Sequence, residues 1–249
     1  GLAGVVRLYY PRWVLLGACA LLLVSNVFNI GAALGGMAES TEMMTGIKSY
    51  YLTPVLTGLI ISLLFFSSYR HIVRVFKWLT LVLFAYVITA FLAQPDWDAV
   101  LNATFVPRVV WSKTFLITFV AILGTTISPY LFFWQASQEV EDERERGRRT
   151  IEEREKVTDE ELRVARTDVF TGMFFANIVM YFIIVTTAAT LHGNGQINVE
   201  TAQQAAEALR PLAGNGAYLL FTLGIIGSGM LAVPVLAGSA AYAVSEAEN

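Results

Sequence analysis

The sequence predicts an all-α polytopic membrane protein of six transmembrane helices, one of them broken in its middle. Three observations carry this. The chain has 249 residues, 55% hydrophobic and 15% charged, with a mean hydropathy of +0.57; soluble domains carry about 25% charged residues. Six long stretches are almost free of charge, and about 20 such residues span the hydrocarbon core as a helix. One of the six is interrupted by Thr125-Thr126-Ile127-Ser128-Pro129-Tyr130.

The spans are expected at about 13–38, 52–69, 78–94, 114–138, 169–191 and 217–245, within a single transmembrane domain over 1–249. All 17 Lys and Arg lie outside them. Arg7 and Arg12 precede the first span, and Arg70, Arg74 and Lys77 separate the second from the third. Arg144, Arg146, Arg148, Arg149, Arg154, Lys156, Arg163 and Arg166 separate the fourth from the fifth. The alternate loops hold only Lys48, Arg108, Lys113 and Arg210. Cytoplasmic loops collect positive charge, so the first span should leave the cytoplasm and the sixth return to it.

Residues 139–168 are the one strongly polar segment, mixing acids and bases at helical spacing; this reads as a charged cytoplasmic helical connection. Thr158 with Glu161 three residues on fits a capping box, so a helix starting there should run through Asp168 into the fifth span. On the far side, Asn198 to Leu209 should form a short helix over the outer face, stopping at Pro211.

A net charge of −3 favours neither nucleic-acid binding nor a polybasic anchor. Cys19 is the single cysteine, and with only His71 and His192 besides no soft Cys/His metal cage can be built. No cofactor is expected. Gly1-Leu2-Ala3-Gly4 does not read as a signal peptide, and the chain reads as an internal piece of something longer. The spans carry no acid, base or nucleophile suited to catalysis, with Glu39 and Glu42 near the outer end of the first, so an enzyme is not expected.

Polar residues within the spans locate the chemistry. Pro129 has no N–H to give to the carbonyl of Thr125, four residues back. A freed carbonyl in the membrane is tolerated where it meets protein, water or an ion. That carbonyl and the hydroxyls of Thr125, Thr126 and Ser128 are expected to converge at mid-membrane, with Gly124 before and Tyr130 and Gln135 after. A proline kink without chemistry is the plainer alternative. Asn26 and Asn29 are three apart on one helix face. They either hold helices together by hydrogen bonds or line a polar path. Gly31-x-x-x-Gly35 fits close helix packing, as do Gly224, Gly227, Ser228, Gly229, Gly238 and Ser239 in the last span.

Three blocks resemble a known family. Residues 25–38, SNVFNIGAALGGMA, look like the third transmembrane helix of bacterial Nramp-type divalent metal transporters. Residues 124–137, GTTISPYLFFWQAS, resemble their broken sixth helix, and residues 223–239, LGIIGSGMLAVPVLAGS, their eighth. The resemblance implies a partial LeuT-like inverted-repeat transporter fold, in which this chain supplies about helices 3–8 and the acidic first-helix ligands lie outside it.

The family's sixth-helix carbonyl ligand falls at Thr125, its metal-binding methionine at Ser128 and its proton-linked histidine at Tyr130, so the usual Met-Pro-His reads Ser128-Pro129-Tyr130. Two carboxylates of the family's proton path fall at Asn26 and Asn29. The resemblance thus implies metal contacts from Thr125 and Ser128, and a substrate pathway past Asn26, Asn29, Thr126, Pro129, Tyr130 and Gln135. Hydroxyl and carbonyl oxygens suit Mg²⁺, Ca²⁺ and Mn²⁺, whereas a thioether prefers softer ions. Asn and Tyr do not exchange protons near neutral pH as His or a carboxylate does. The departures resemble those of Nramp-related magnesium transporters.

The function implied is a secondary transporter of divalent metal ions (Mn/Fe/Mg class) working by alternating access in the bacterial inner (plasma) membrane. Its partners would be the metal ion, as cargo, and the lipid bilayer. Two other readings stay open: a LeuT-like permease for an amino acid or other small organic solute, and a non-transporting membrane interaction protein acting through 139–168.

Overall fold

The structure, a computed structural model, describes residues 1–66, 84–106, 109–126, 128–148, 150, 153, 157–190 and 201–248. Among the described residues the regular elements are all helices: α1 (Leu2–Tyr9), α2 (Arg12–Thr45), α3 (Ser49–Phe66), α4 (Phe84–Leu92), α5 (Trp97–Phe105), α6 (Lys113–Thr126), α7 (Pro129–Glu145), α8 (Asp159–Thr190) and α9 (Ala202–Glu248).

The spans map onto these elements with informative differences. Among the described residues four stretches are long and apolar enough to cross a membrane: Arg12–Thr45, Lys113–Glu145 taken across its break, Asp159–Ala189 and Leu219–Ala247. The second span is α3, 18 residues long with Pro54 inside it. Of the third, residues 78–83 lie outside the described residues, and Phe84–Leu92 is helical. Arg70, Arg74, Lys77, Arg108, Arg149, Arg154, Lys156, His71 and His192 likewise lie outside them.

Two local features have clear physical causes. α8 begins one residue after Thr158, through the expected capping box: the Thr158 N–H donates to Glu161 Oε2 at 2.8 Å, and the Glu161 N–H donates to Thr158 Oγ1 at 3.3 Å. α5 was not expected; its cap is Asp96, whose Oδ1 accepts from the N–H groups of Asp98 and Ala99 at 3.1 and 3.2 Å.

One expectation is corrected. The outer helix does not stop at Pro211: α9 runs unbroken from Ala202 to Glu248 and includes both Pro211 and Pro234. Proline removes one helical hydrogen bond and bends the axis, but a long helix continues through it where the freed carbonyl finds another partner.

The contacts divide the chain into two units, one of Gly1–Ile30, Val106–Glu161 and Val235–Asn249, the other of Gly31–Phe105 and Leu162–Pro234. In the first, Ala3, Leu15, Cys19, Leu22, Phe133 and Ala243 form a core against which Leu2, Val6, Tyr130 and Ala247 pack. In the second, Tyr86 meets Phe221 edge-on at 5.5 Å between ring centroids, Phe84 meets Phe175 at 6.1 Å and Phe91 meets Phe182 at 5.6 Å.

These contacts fix helix directions. In the first unit Cys19 reaches the Ala243 carbonyl and Asn26 reaches Ser239, so the number falls along α9 as it rises along α2. In the second unit Phe84–Phe175 and Phe91–Phe182 advance together, so α4 and α8 run parallel.

Many apolar side chains face outward, among them Leu21, Phe28 and, at 89% exposure, Phe66. In water so much exposed apolar area would drive association; in a bilayer it meets lipid or further helices.

Candidate functional site

The fourth span is divided as expected. α6 ends at Thr126 and α7 begins at Pro129, with Ser128 extended between them at φ −84°, ψ 116°. The residue before a proline is pushed out of the helical region by the pyrrolidine ring, and Pro129 then takes the first helical position, where a missing N–H costs nothing. α7 closes its first turn through the Leu131 N–H donating to the Ser128 carbonyl at 3.2 Å.

The break therefore brings together two unlike helix ends. The last turn of α6 presents carbonyls with no helical N–H to receive and carries the negative end of its dipole, while α7 presents its positive end. The carbonyl of Thr125 belongs to the first group, since the N–H it would take belongs to a proline. Ser128, the residue between the two helices, is itself buried, at 7% exposure.

The other expected site residues are dispersed. Thr126 does not contribute a hydroxyl to the break: its Oγ1 donates back to the carbonyls of Ile122 and Leu123 at 2.9 and 3.2 Å. A helical threonine readily satisfies itself in this way, which corrects the expected convergence of three hydroxyls. Pro129 is exposed. Tyr130 packs against the core of its unit. Gln135 donates to Glu139 one turn on, at 2.9 Å.

The two asparagines part company. Asn26 is 1% exposed, and its Nδ2 donates to the Leu236 carbonyl and to Ser239 Oγ, both at 2.9 Å. It fastens α2 to α9. Among the described residues its Oδ1 has no hydrogen-bond partner. Asn29 is exposed, with its Nδ2 3.5 Å from Ser25 Oγ. Two residues three apart are separated by about 60° around the axis, enough here to send one inward and the other outward.

Close packing also falls elsewhere than expected. A Cβ added at Gly31 or Gly35 would meet nothing within 4 Å, so among the described residues that pair is not a helix contact. The contacts are one step round the helix, where Gly36 lies near Ile225 and Gly229 against Met37. In the last span close packing falls where it is expected: Gly238 lies directly against the Trp134 indole of α7.

The carboxylates near the C-terminal end of α2 are engaged. Glu39 Oε2 accepts from the Ala202 N–H at 3.1 Å and Glu42 Oε2 from the Ser49 N–H at 2.6 Å; each caps the start of another helix. No group of three or more His, Cys, Asp and Glu able to hold a metal occurs among the described residues. A cation at this break would meet carbonyl and hydroxyl oxygens.

Discontinuous helices set among apolar spans recur in polytopic membrane transport proteins. The sequence model of the natural resistance-associated macrophage protein-like family (Nramp) matches residues 1–249, and the chain belongs to the Nramp family. It is similar to proteins named divalent metal cation transporter MntH. That of Mesorhizobium japonicum is 27% identical over 92% of this chain and 50% of the relative. That of Xanthomonas campestris pv. campestris is 29% identical over 92% and 51%, and that of Caldanaerobacter subterraneus subsp. tengcongensis 28% over 84% and 51%. The chain spans about half the length of these curated relatives.

Proposed function

We propose that this chain forms the central part of a secondary transporter that moves divalent metal ions across the bacterial plasma membrane by alternating access. The observation that carries the reading is the break between α6 and α7 at Ser128, in a member of a family whose similar proteins are named as divalent metal cation transporters. The Thr125 carbonyl and the Ser128 hydroxyl are the contacts this chain offers the ion.

An all-oxygen site suits Mg²⁺ or Mn²⁺ better than Cd²⁺. With amides at 26 and 29 and a phenol at 130, metal entry through this part carries few protons.

The test is metal uptake by the complete protein in liposomes, with internal pH followed together. Ser128→Leu should abolish uptake; wild-type uptake by that variant would refute a site there. Ser128→Met adds a thioether and should raise the Cd²⁺ to Mg²⁺ preference about tenfold, equivalent to about 1.4 kcal/mol. Cd²⁺ preference already present in the wild type, or proton influx stoichiometric with metal, would count against the oxygen site and the weak coupling respectively.

The orientation assigned to the chain places both described ends and residues 139–168 in the cytoplasm. Single cysteines at Gly147 and Gly195, in a Cys19→Ser background, should then label from opposite sides. Labelling of both from outside would overturn the orientation.

A further inference from the structure

We propose that α1 and the first turn of α2 form a docking surface for anionic phospholipid headgroups, with Arg7 and Arg12 as its charged contacts. α1 is folded against its own unit: Ala3 is buried in the core, and Leu2 and Val6 pack on it. Its other side is open among the described residues, with Leu8 exposed and Tyr9 at 78% exposure. After the Pro11 bend, Tyr10 and Trp13, the latter at 76%, continue that surface. Tyr and Trp gather at the level of lipid headgroups, where an apolar ring and a polar edge are both accommodated. A short helix with one flank on protein and aromatic and basic residues on the other has the composition of an interfacial segment.

Charge selects the lipid. Arg7 stands in the last turn of α1 and Arg12 opens α2, one on each side of the bend. Both are exposed; residues 2–38 contain no acid, and the carboxylate that meets α1, Glu246, is held near its first turn, by the Gly4 N–H at 3.2 Å. Among the described residues no ion pair reaches either arginine, whereas Arg144, Arg146 and Arg148 are each taken by a carboxylate. A guanidinium fork matches the oxygens of a phosphate group, and long basic side chains reach from an apolar surface to the headgroup layer. A zwitterionic headgroup also carries phosphate, but its own cation offsets the gain. The surface therefore fits a lipid of net negative charge.

The test compares the complete protein with Arg7→Gln, Arg12→Gln, the double variant and Arg144→Gln. Each is stripped of lipid, then incubated in mixed micelles with equimolar phosphatidylglycerol and phosphatidylcholine, and bound lipid is counted by native mass spectrometry. Each basic residue near an anionic surface changes partitioning about fivefold. The ratio of phosphatidylglycerol to phosphatidylcholine should fall about that much in each single variant at 7 or 12, and further in the double. Arg144→Gln should leave it unchanged, since Arg144 pairs with Glu141 at 2.8 Å. Unchanged phosphatidylcholine retention reports that the variants are folded. A wild-type ratio in the double variant would overturn the proposal, showing that protein rather than lipid covers the surface. An equal fall in Arg144→Gln would also overturn it, by reducing the effect to diffuse charge.

Discussion

Gly238→Leu should yield little or no folded protein. A Cβ at this position would sit 2.9 Å from Trp134 Cε3 and 3.2 Å from Cη2, with Cζ3 nearer still. Trp134 has little freedom to yield, because its ring also meets Tyr242 edge-on at 6.2 Å, and Phe133 beside it is buried in the core of the unit. Overpacking of this kind costs about 1–3 kcal/mol and sometimes more. A leucine adds three more carbons to the collision. The measurement is the yield of monodisperse protein and its thermal midpoint, with Gly35→Ala as control, since a Cβ there meets nothing within 4 Å. Wild-type yield and midpoint for Gly238→Leu would mean that α7 does not rest on α9 as described.

Asn26→Leu should come second in severity. The amide donates two buried hydrogen bonds at 2.9 Å, to the Leu236 carbonyl and Ser239 Oγ. Leucine nearly conserves volume but withdraws both donors. The Leu236 carbonyl is still able to take the Ser239 hydroxyl, at 3.0 Å, so the loss falls short of two orphaned groups. Leaving a buried acceptor undersatisfied costs about 1–3 kcal/mol, and interhelical hydrogen bonds in membranes are worth about 0.6–2 kcal/mol each. The thermal midpoint should fall clearly for Asn26→Leu and hardly at all for Asn29→Leu, whose amide is exposed and meets only Ser25, one turn away, at 3.5 Å. Equal effects at the two positions would contradict the division between them.

The spans were legible because bilayer thickness imposes a length on apolar runs, and the break because proline lacks a donor and biases the residue before it. The start of α8 at Thr158–Glu161 was legible for a similar reason: capping is local chemistry with a three-residue signature. What sequence reading misjudged depended on tertiary direction. Asn26 and Asn29 share a face by spacing, yet α9 covers one of them and leaves the other bare. Gly31 and Gly35 carry the small-residue pattern of α2, but its contact falls at Gly36, while Gly229 and Gly238 of the last span pack closely as their spacing suggested. Thr126 looked like part of the polar cluster by adjacency to the break, and a back-bond within its own helix claimed the hydroxyl. The cap of α5 at Asp96 was present as a signal and was overlooked between two stronger apolar runs.

Beyond its far end, α7 is tied down by ions. Arg148 Nη1 and Nη2 contact Glu143 at 2.7 Å and Glu161 at 2.8 Å, and Arg146 lies 3.6 and 3.5 Å from the same two carboxylates. The two carboxylates hold the Arg148 guanidinium above its ordinary range, so it stays charged at any physiological pH. Glu143 belongs to α7 and Glu161 to the first turn of α8, so the arginines bridge a half-helix to the start of the next span. A helix of 17 residues at 1.5 Å each is a rod of about 25 Å. Were it to pivot at Ser128, a tilt of about 10° would carry its tip through about 4 Å, more than an ion pair can stretch and persist. The arginines would then either draw the first turn of α8 along or let go of it.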